Sequence, residues 1–289
     1  MLIYTGIPAI IHYHNSGFWN YPNVLQHSNP NIQKVMTECH PIRLPKVAHV
    51  VTNSLLQQEL KSKVNIQSTV IPCVLPHNKH YAIHDEFNEP FRKKLRIRKS
   101  DKLILTFLSK TVKKKELFEW ISTTPNHIKF VCIGYNNQKP HPNDHHPIKE
   151  IIKTLKLSSR VKISDHLISR DRKKDLHGEQ MFSLSDALSQ ANGCLFLNPS
   201  QNSAYPFMEA IAAKSPIFLY NGQKSYTSDL TKIGFKFNQI SKKTNFASTL
   251  NDVLNLKKTT KHNHTLAKKF YSSDILRACL YRILSAVSL

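Results

Sequence analysis

GCLFLNPSQNSAYPFMEAIAAKSPIFLYN, residues 193–221, decides how this chain folds. An apolar run over residues 194–197 ends at Asn198, Pro199 and Ser200 and gives way to a short polar loop. Helical spacing follows over residues 206–213, then a second apolar run over residues 216–220. Two buried-type strands flanking a helix make a βαβ unit. In such a unit the carboxyl end of the first strand meets the amino terminus of the helix, whose unpaired N–H groups attract an anion. Glu209 is expected in the first helical turn, where a carboxylate could hold hydroxyls beside that anion. A phosphate next to a diol describes a nucleotide. From this stretch alone, an ordinary βαβ unit with a surface glutamate stands as an equal alternative.

Outward from that unit, β-type apolar runs recur at residues 9–14, 48–52, 69–72, 103–108, 128–133 and 161–163. Helical patterning lies between most of them, at residues 55–63, 117–122, 148–157, 184–191 and 246–256, and residues 261–289 read as a closing helix or two. Strands alternating with helices predict α/β units with parallel sheets. Residues 76–90, polar and rich in His and Pro, form the best linker candidate, and residues 136–147 a second loop. Three strands stand before the linker and five or more after it, which makes the first domain thin for an independent core.

The 289 residues are enough for two domains, and 40% hydrophobic with 21% charged residues describes a globular chain. No apolar run approaches the roughly 20 residues that span a bilayer. The start, MLIYTGIPAIIHYH, lacks the basic region and cleavage site of a signal peptide and reads as a buried strand. Five widely spaced cysteines, an odd number in mostly apolar runs, favour reduced thiols in a cytoplasmic protein. The net charge of +22 admits nucleic acid, an anionic membrane surface or anionic small substrates as partners, with clusters at residues 92–99, 110–115 and 170–174. No zinc finger, RNA-binding aromatic signature or basic helix feeding heptads is present, so specific nucleic-acid binding is not expected. Weak attraction to the inner membrane surface needs no motif and is the more plausible of the two. Residues 170–174 read as an exposed charged loop, and Trp19 and Trp120 as packing.

The order of segments resembles retaining glycosyltransferases of family 4. The resemblance is carried by IIHYHNSGFW (10–19), LPKVAHVVTNS (44–54), STVIPCV (68–74), SLSDALSQANGCLFLNPS (183–200) and YPFMEAIAAKSPIFLYN (205–221). It lies closest to a bacterial subgroup that includes mannosylglucosylglycerate-type synthases. It implies the α/β GT-B fold of two Rossmann-like domains with parallel sheets, here with an incomplete N-terminal one. Residues 1–85 would form the acceptor-side domain, 86–265 the nucleotide-sugar domain, and 266–289 a helix packing back on the first.

The implied activity is transfer of a sugar from a UDP- or GDP-linked donor to an acceptor, with retention of configuration. The acceptor class stays open among sugars, glycerate derivatives, lipids and polysaccharides. The breaking bond leaves a diphosphate whose charge must be stabilised. No Asp-x-Asp occurs, so neither a metal nor another cofactor is expected, and the charge falls to fixed cations.

Lys110 and Lys115 align with the family's diphosphate-clamping Arg and Lys; Lys in place of Arg keeps the charge and loses the fork. A solvated lysine-rich loop is the alternative. Glu209 matches the family's ribose-binding carboxylate, the alternative being a glutamate favoured by the helix dipole. Gln201 stands where a second carboxylate contacts the donor sugar, and Ser200 either caps the next helix or meets a phosphate. Pro206 and Phe207 complete the donor-binding set. His14 aligns with a histidine near the reacting sugar, and a merely structural histidine is the alternative. A metal pair of His12 and His14 is weakly supported. Gln201 and the thin first domain also support a second reading, a catalytically degenerate nucleotide-sugar-binding module that needs another chain.

Overall fold

The computed structural model describes residues 8–13, 30–31, 46–76, 87, 89–108, 114–133, 146–164, 167–169, 172–174, 178–197, 204–220 and 226–288. The N-terminal unit holds β1 (Ala9–Tyr13), β2 (Val47–Val51), α1 (Ser54–Val64) and β3 (Thr69–Val70). Its strands are parallel in the order β1-β2-β3. Helix α1 starts where extended Asn53 accepts the Leu56 N–H at 2.9 Å and stops where Asn65 turns left-handed at φ 52. Its buried Leu56 and Leu60 close over Val51 and Ile66.

The C-terminal unit opens with α2 (Pro90–Lys94), whose proline stands at a first-turn position where no N–H is needed. Next come β4 (Lys102–Phe107), α3 (Lys114–Thr123), β5 (Ile128–Ile133), α4 (His146–Thr154) and β6 (Val161–Ile163). A small sheet of β7 (Ile168–Ser169), β8 (Lys173–Lys174) and β9 (Gln180–Ser183) interrupts before the chain returns through α5 (Leu184–Gln190) to β10 (Gly193–Leu197). Helix α6 (Ala204–Ala212), β11 (Ile217–Tyr220), α7 (Tyr226–Ile233) and β12 (Asn238–Ile240) follow, then α8 (Phe246–Asn251), α9 (Val253–Phe270) and α10 (Ser273–Ser288).

Six strands of this unit form one parallel sheet in the order β12-β11-β10-β4-β5-β6. Both faces are covered, so its central strands are apolar throughout rather than alternating. Leu103, Leu105, Phe107, Cys194 and Phe196 point into one core with Phe91, Phe182, Phe207 and Met208. Ile104, Leu195, Leu197 and Phe218 point into the other with Phe118, Trp120, Phe130 and Phe246. Trp120 is packing, in contact with Phe130, Tyr220 and Phe246.

Two expectations need correction. The helix expected over residues 246–256 is two helices, because Asp252 leaves helical geometry and caps the second by accepting the Asn255 N–H at 3.2 Å. The 170–174 cluster is not simply a solvated loop. The Arg172 guanidinium grips Asp186, which is fully buried, through Nε at 2.9 Å and a terminal nitrogen at 2.5 Å, and it lies 4.7 Å over the Phe87 ring.

Cys73, Cys132, Cys194 and Cys279 are free thiols. Among the described residues no helix is long and apolar enough to cross a membrane.

Candidate functional site

Strands β4 and β10 are neighbours, with Phe107 opposite Phe196. From β4 the chain proceeds through α3 to β5 on one side, and from β10 through α6 to β11 on the other. The order 3-2-1-4-5-6 therefore reverses between them, and in open α/β sheets the space beyond the carboxyl ends at such a switch point is where ligands bind. In sequence, the segments carrying Lys110 and both Ser200 and Gln201 leave from these two strand ends. Those four residues, counting His14, lie outside the described residues.

The described members separate. Helix α6 begins at Ala204, two residues before the expected start, because Pro206 fits the first turn. Glu209 consequently sits in the second turn rather than the first, and the first turn holds no acidic residue. The positive end of the α6 dipole is thus left without a carboxylate of its own first turn, which favours an anion from outside.

Glu209 is only 5% exposed. Its carboxylate lies near Cys194. Burial pushes that thiol up to about 12, the Ser215 hydroxyl 3.4 Å away pulls it back, and the Glu209 charge pushes it further. A carboxylate held between a helix and a sheet costs desolvation unless it serves strong hydrogen bonds. Phe207 does not reach the crevice with its side chain. Its ring is fully buried, 4.8 Å from Phe196 and 5.1 Å from Phe237, because its helical position turns it onto the sheet. Pro206 is half-buried beside it, and Tyr205, which the sequence reading passed over, is 58% exposed at the helix start. Lys115 lies in the first turn of α3, its side chain 76% exposed and 4.0 Å from Glu119. Such an exposed pair is worth little and leaves the ammonium able to reach a ligand.

No protein-family model matches the chain. It is 27% identical over 265 residues to the mannosylglucosylglycerate synthase of Petrotoga mobilis, a match that spans 84% of this chain and 59% of that protein. To the synthase of the same name from Thermotoga maritima it is 23% identical over 300 residues, 93% of this chain and 68% of that one. The solved structure of Anabaena Alr3699/HepE in complex with UDP and glucose superposes with a TM-score of 0.67 at 13% identity, covering 96% of this chain and 72% of that one.

The chain has the GT-B fold. Its resemblance to family 4 glycosyltransferases, read first from motifs, is matched by these relatives. Within this GT-B chain the two units are tied by a side-chain cap that sequence reading did not find and by the closing helix that it expected to pack back on the first unit. Ser54 at the start of α1 donates its backbone N–H to Asp229 of α7 at 2.8 Å and its hydroxyl at 2.6 Å. Asp229 thereby satisfies N-terminal donors of a helix in the other unit, a cap supplied from 175 residues away. The Leu75 N–H donates to the Tyr271 carbonyl at 2.8 Å, and α10 packs against β1 and β2. The signal for Asp229 was slight, a single acid in the first turn of a helix that follows a sheet strand.

Proposed function

We propose that this chain binds a nucleotide-diphosphate sugar in the switch-point crevice and takes part in transferring its sugar to an acceptor, with retention of configuration and without a metal. The observation that carries this reading is the buried Glu209 carboxylate, on the helix whose amino terminus opens at the point where strand order reverses. Glu209 holds the ribose hydroxyls. The α6 amino terminus and Lys115, with Lys110 from the segment that follows β4 in sequence, stabilise the diphosphate as it leaves. Retention rests on the family resemblance. Metal independence rests on the cationic alternatives and on the absence of Asp-x-Asp from the sequence. The relatives support a hexose donor, and the neighbour solved with UDP and glucose supports a uridine base. The thiols support a reducing, cytoplasmic compartment.

Calorimetry with UDP, GDP and uridine tests the diphosphate half of this reading. UDP should bind at least about tenfold more tightly than uridine, the worth of one charge-assisted contact, and Lys110→Ala with Lys115→Ala should remove most of that difference. Equal affinity for UDP and uridine contradicts the assignment of these lysines. The second reading, a binding module needing another chain, is supported by Gln201, and it is favoured if UDP-glucose binds but is neither hydrolysed nor transferred.

A further inference from the structure

The opposite end of the large sheet carries a basic cleft. Residues 90–102, PFRKKLRIRKSDK, run from α2 into β4, and residues 89–99 of this region, among them Arg92, Lys93, Arg96, Arg98 and Lys99, wall with Gln190 and Asn192 a cleft of about 1580 Å³. It lies at the amino ends of β4 and β10, a full strand length from the switch-point crevice. Arg92 builds its floor. The guanidinium donates to the carbonyls of Gln190 at 3.2 Å, Arg98 at 2.9 Å and Asp101 at 3.2 Å, and to Oδ1 of Asn192 at 3.1 Å. Arg92 is therefore consumed by the fold, and it fixes the wall from which other cations project.

Those cations are Lys93, Arg96, Arg98 and Lys99, all exposed. Arg96 takes φ 56, the left-handed position after a helix where glycine is the default, so a bulky cation occupies a place the backbone disfavours. Beside it Lys129 and Lys162 hold their ammonium groups on the Ser159 carbonyl at 3.2 Å and the Ser158 carbonyl at 2.7 Å. Burial first, and then repulsion from Lys129 and Arg96, lowers the proton affinity of Lys162. Compensation is sparse among the described residues. Glu89 lines the cleft, Asp101 accepts the Arg98 N–H at 3.1 Å, and Glu179 is taken by Lys94.

We propose that this cleft binds a linear phosphate polyanion. Like charges gathered without matching acids are self-repulsive, and a chain of phosphates relieves the repulsion while releasing its own counterions. The exposed guanidinium groups of Arg96 and Arg98 suit phosphate oxygens. The concave shape suits a chain rather than a plane, and among the described residues none of the exposed large apolar side chains lines the cleft, which disfavours insertion into a bilayer. Among the described residues no aromatic side chain lines it either, which favours contacts to phosphate over stacked bases. Inorganic polyphosphate and a single-stranded oligonucleotide share this chemistry.

The test is fluorescence anisotropy with end-labelled polyphosphate and labelled oligo-dT, plus sedimentation with phosphatidylglycerol vesicles. It compares the native protein, Arg96→Glu/Lys99→Glu, and Lys257→Glu/Lys258→Glu on α9, a control with the same loss of charge. Polyphosphate affinity should fall at least about tenfold, with a shallower salt dependence, in the cleft pair, and less than about threefold in the control. Oligo-dT binding with the same cleft dependence identifies phosphate alone as the ligand, and its absence identifies the unsubstituted polyphosphate; both uphold the site. Equal losses in the two variants, or binding to vesicles alone, overturn it. Should the reversed pair fail to fold, as judged by its thermal melt, Arg96→Gln/Lys99→Gln serves with a smaller loss in the same direction. UDP affinity should be unchanged in the cleft pair, which separates this proposal from the crevice reading.

Discussion

The two larger units of this protein each carry a parallel sheet, yet the sheets are built to different depths. Strand β10 is buried along its whole length between two aromatic-rich cores. Strand β1 has no buried residue, and His12 on it is exposed. The core around α1 is limited to Val51, Leu56, Leu60 and Ile66 with a few half-buried neighbours. Parallel pairing thus gives a deeply buried scaffold on one side and, on the other, a unit that leans on it through Ser54–Asp229, Leu75–Tyr271 and α10. A site that must hold a ligand precisely needs rigid support, and the proposed nucleotide site stands on the deeply buried sheet.

The difference can be broken most severely at Phe196, which stacks on Phe107 at 4.5 Å and meets Phe207. Phe196→Ala should cost about 3–5 kcal/mol in chemical denaturation and destabilise the whole molecule, since it leaves a cavity between sheet and helix. Leu56→Ala should instead raise hydrogen exchange mainly in α1 and its neighbours; global exchange from that variant means the units are not unequal.

Gly193→Ala comes next. A methyl group there would stand 2.6 Å from the Phe218 ring and 3.2 Å from the Pro216 carbonyl, so about 1–3 kcal/mol of overpacking is expected in thermal melts. Asp229→Ala should cost about 1–2 kcal/mol by exposing the α1 amino terminus. A double-mutant cycle with Ser54→Ala isolates the hydroxyl bond, and additive losses mean that the bond does not couple the units.

The smallest effect is alkaline. Burial holds the Cys194 thiol near 12 and the Tyr13 phenol near 12, both raised above their ordinary values. A raised acid contributes stability that is whole below its unfolded pKa and is lost as pH climbs through the folded one. Stability should therefore fall between about pH 9 and 12, by about 1 kcal/mol at pH 9.5 from Cys194, and Cys194→Ala should flatten that limb.

Legibility in the sequence followed the same division. Strands buried on both faces announce themselves as apolar runs, so β4, β5, β10 and β11 were read nearly to the residue. The small sheet of β7, β8 and β9 was missed because its strands are two to four residues long and polar, as in Lys173–Lys174. Arg172 looked solvated because its partner Asp186 becomes a buried anchor only once the chain folds. Of the site, Glu209 was placed on the right helix but one turn too early. Phe207 was placed in the donor-binding set, and its helical position buries its ring against the sheet. The Ser54–Asp229 tie, formed across 175 residues, leaves no local pattern to read.

The central claim is that Glu209 holds a nucleotide at the switch point. Calorimetric titration of UDP-glucose into the native protein and Glu209→Ala tests it directly. Loss of a ribose-binding carboxylate should weaken binding by about 10- to 100-fold, with the variant keeping a cooperative melt. Equal affinity in the two proteins would contradict the account.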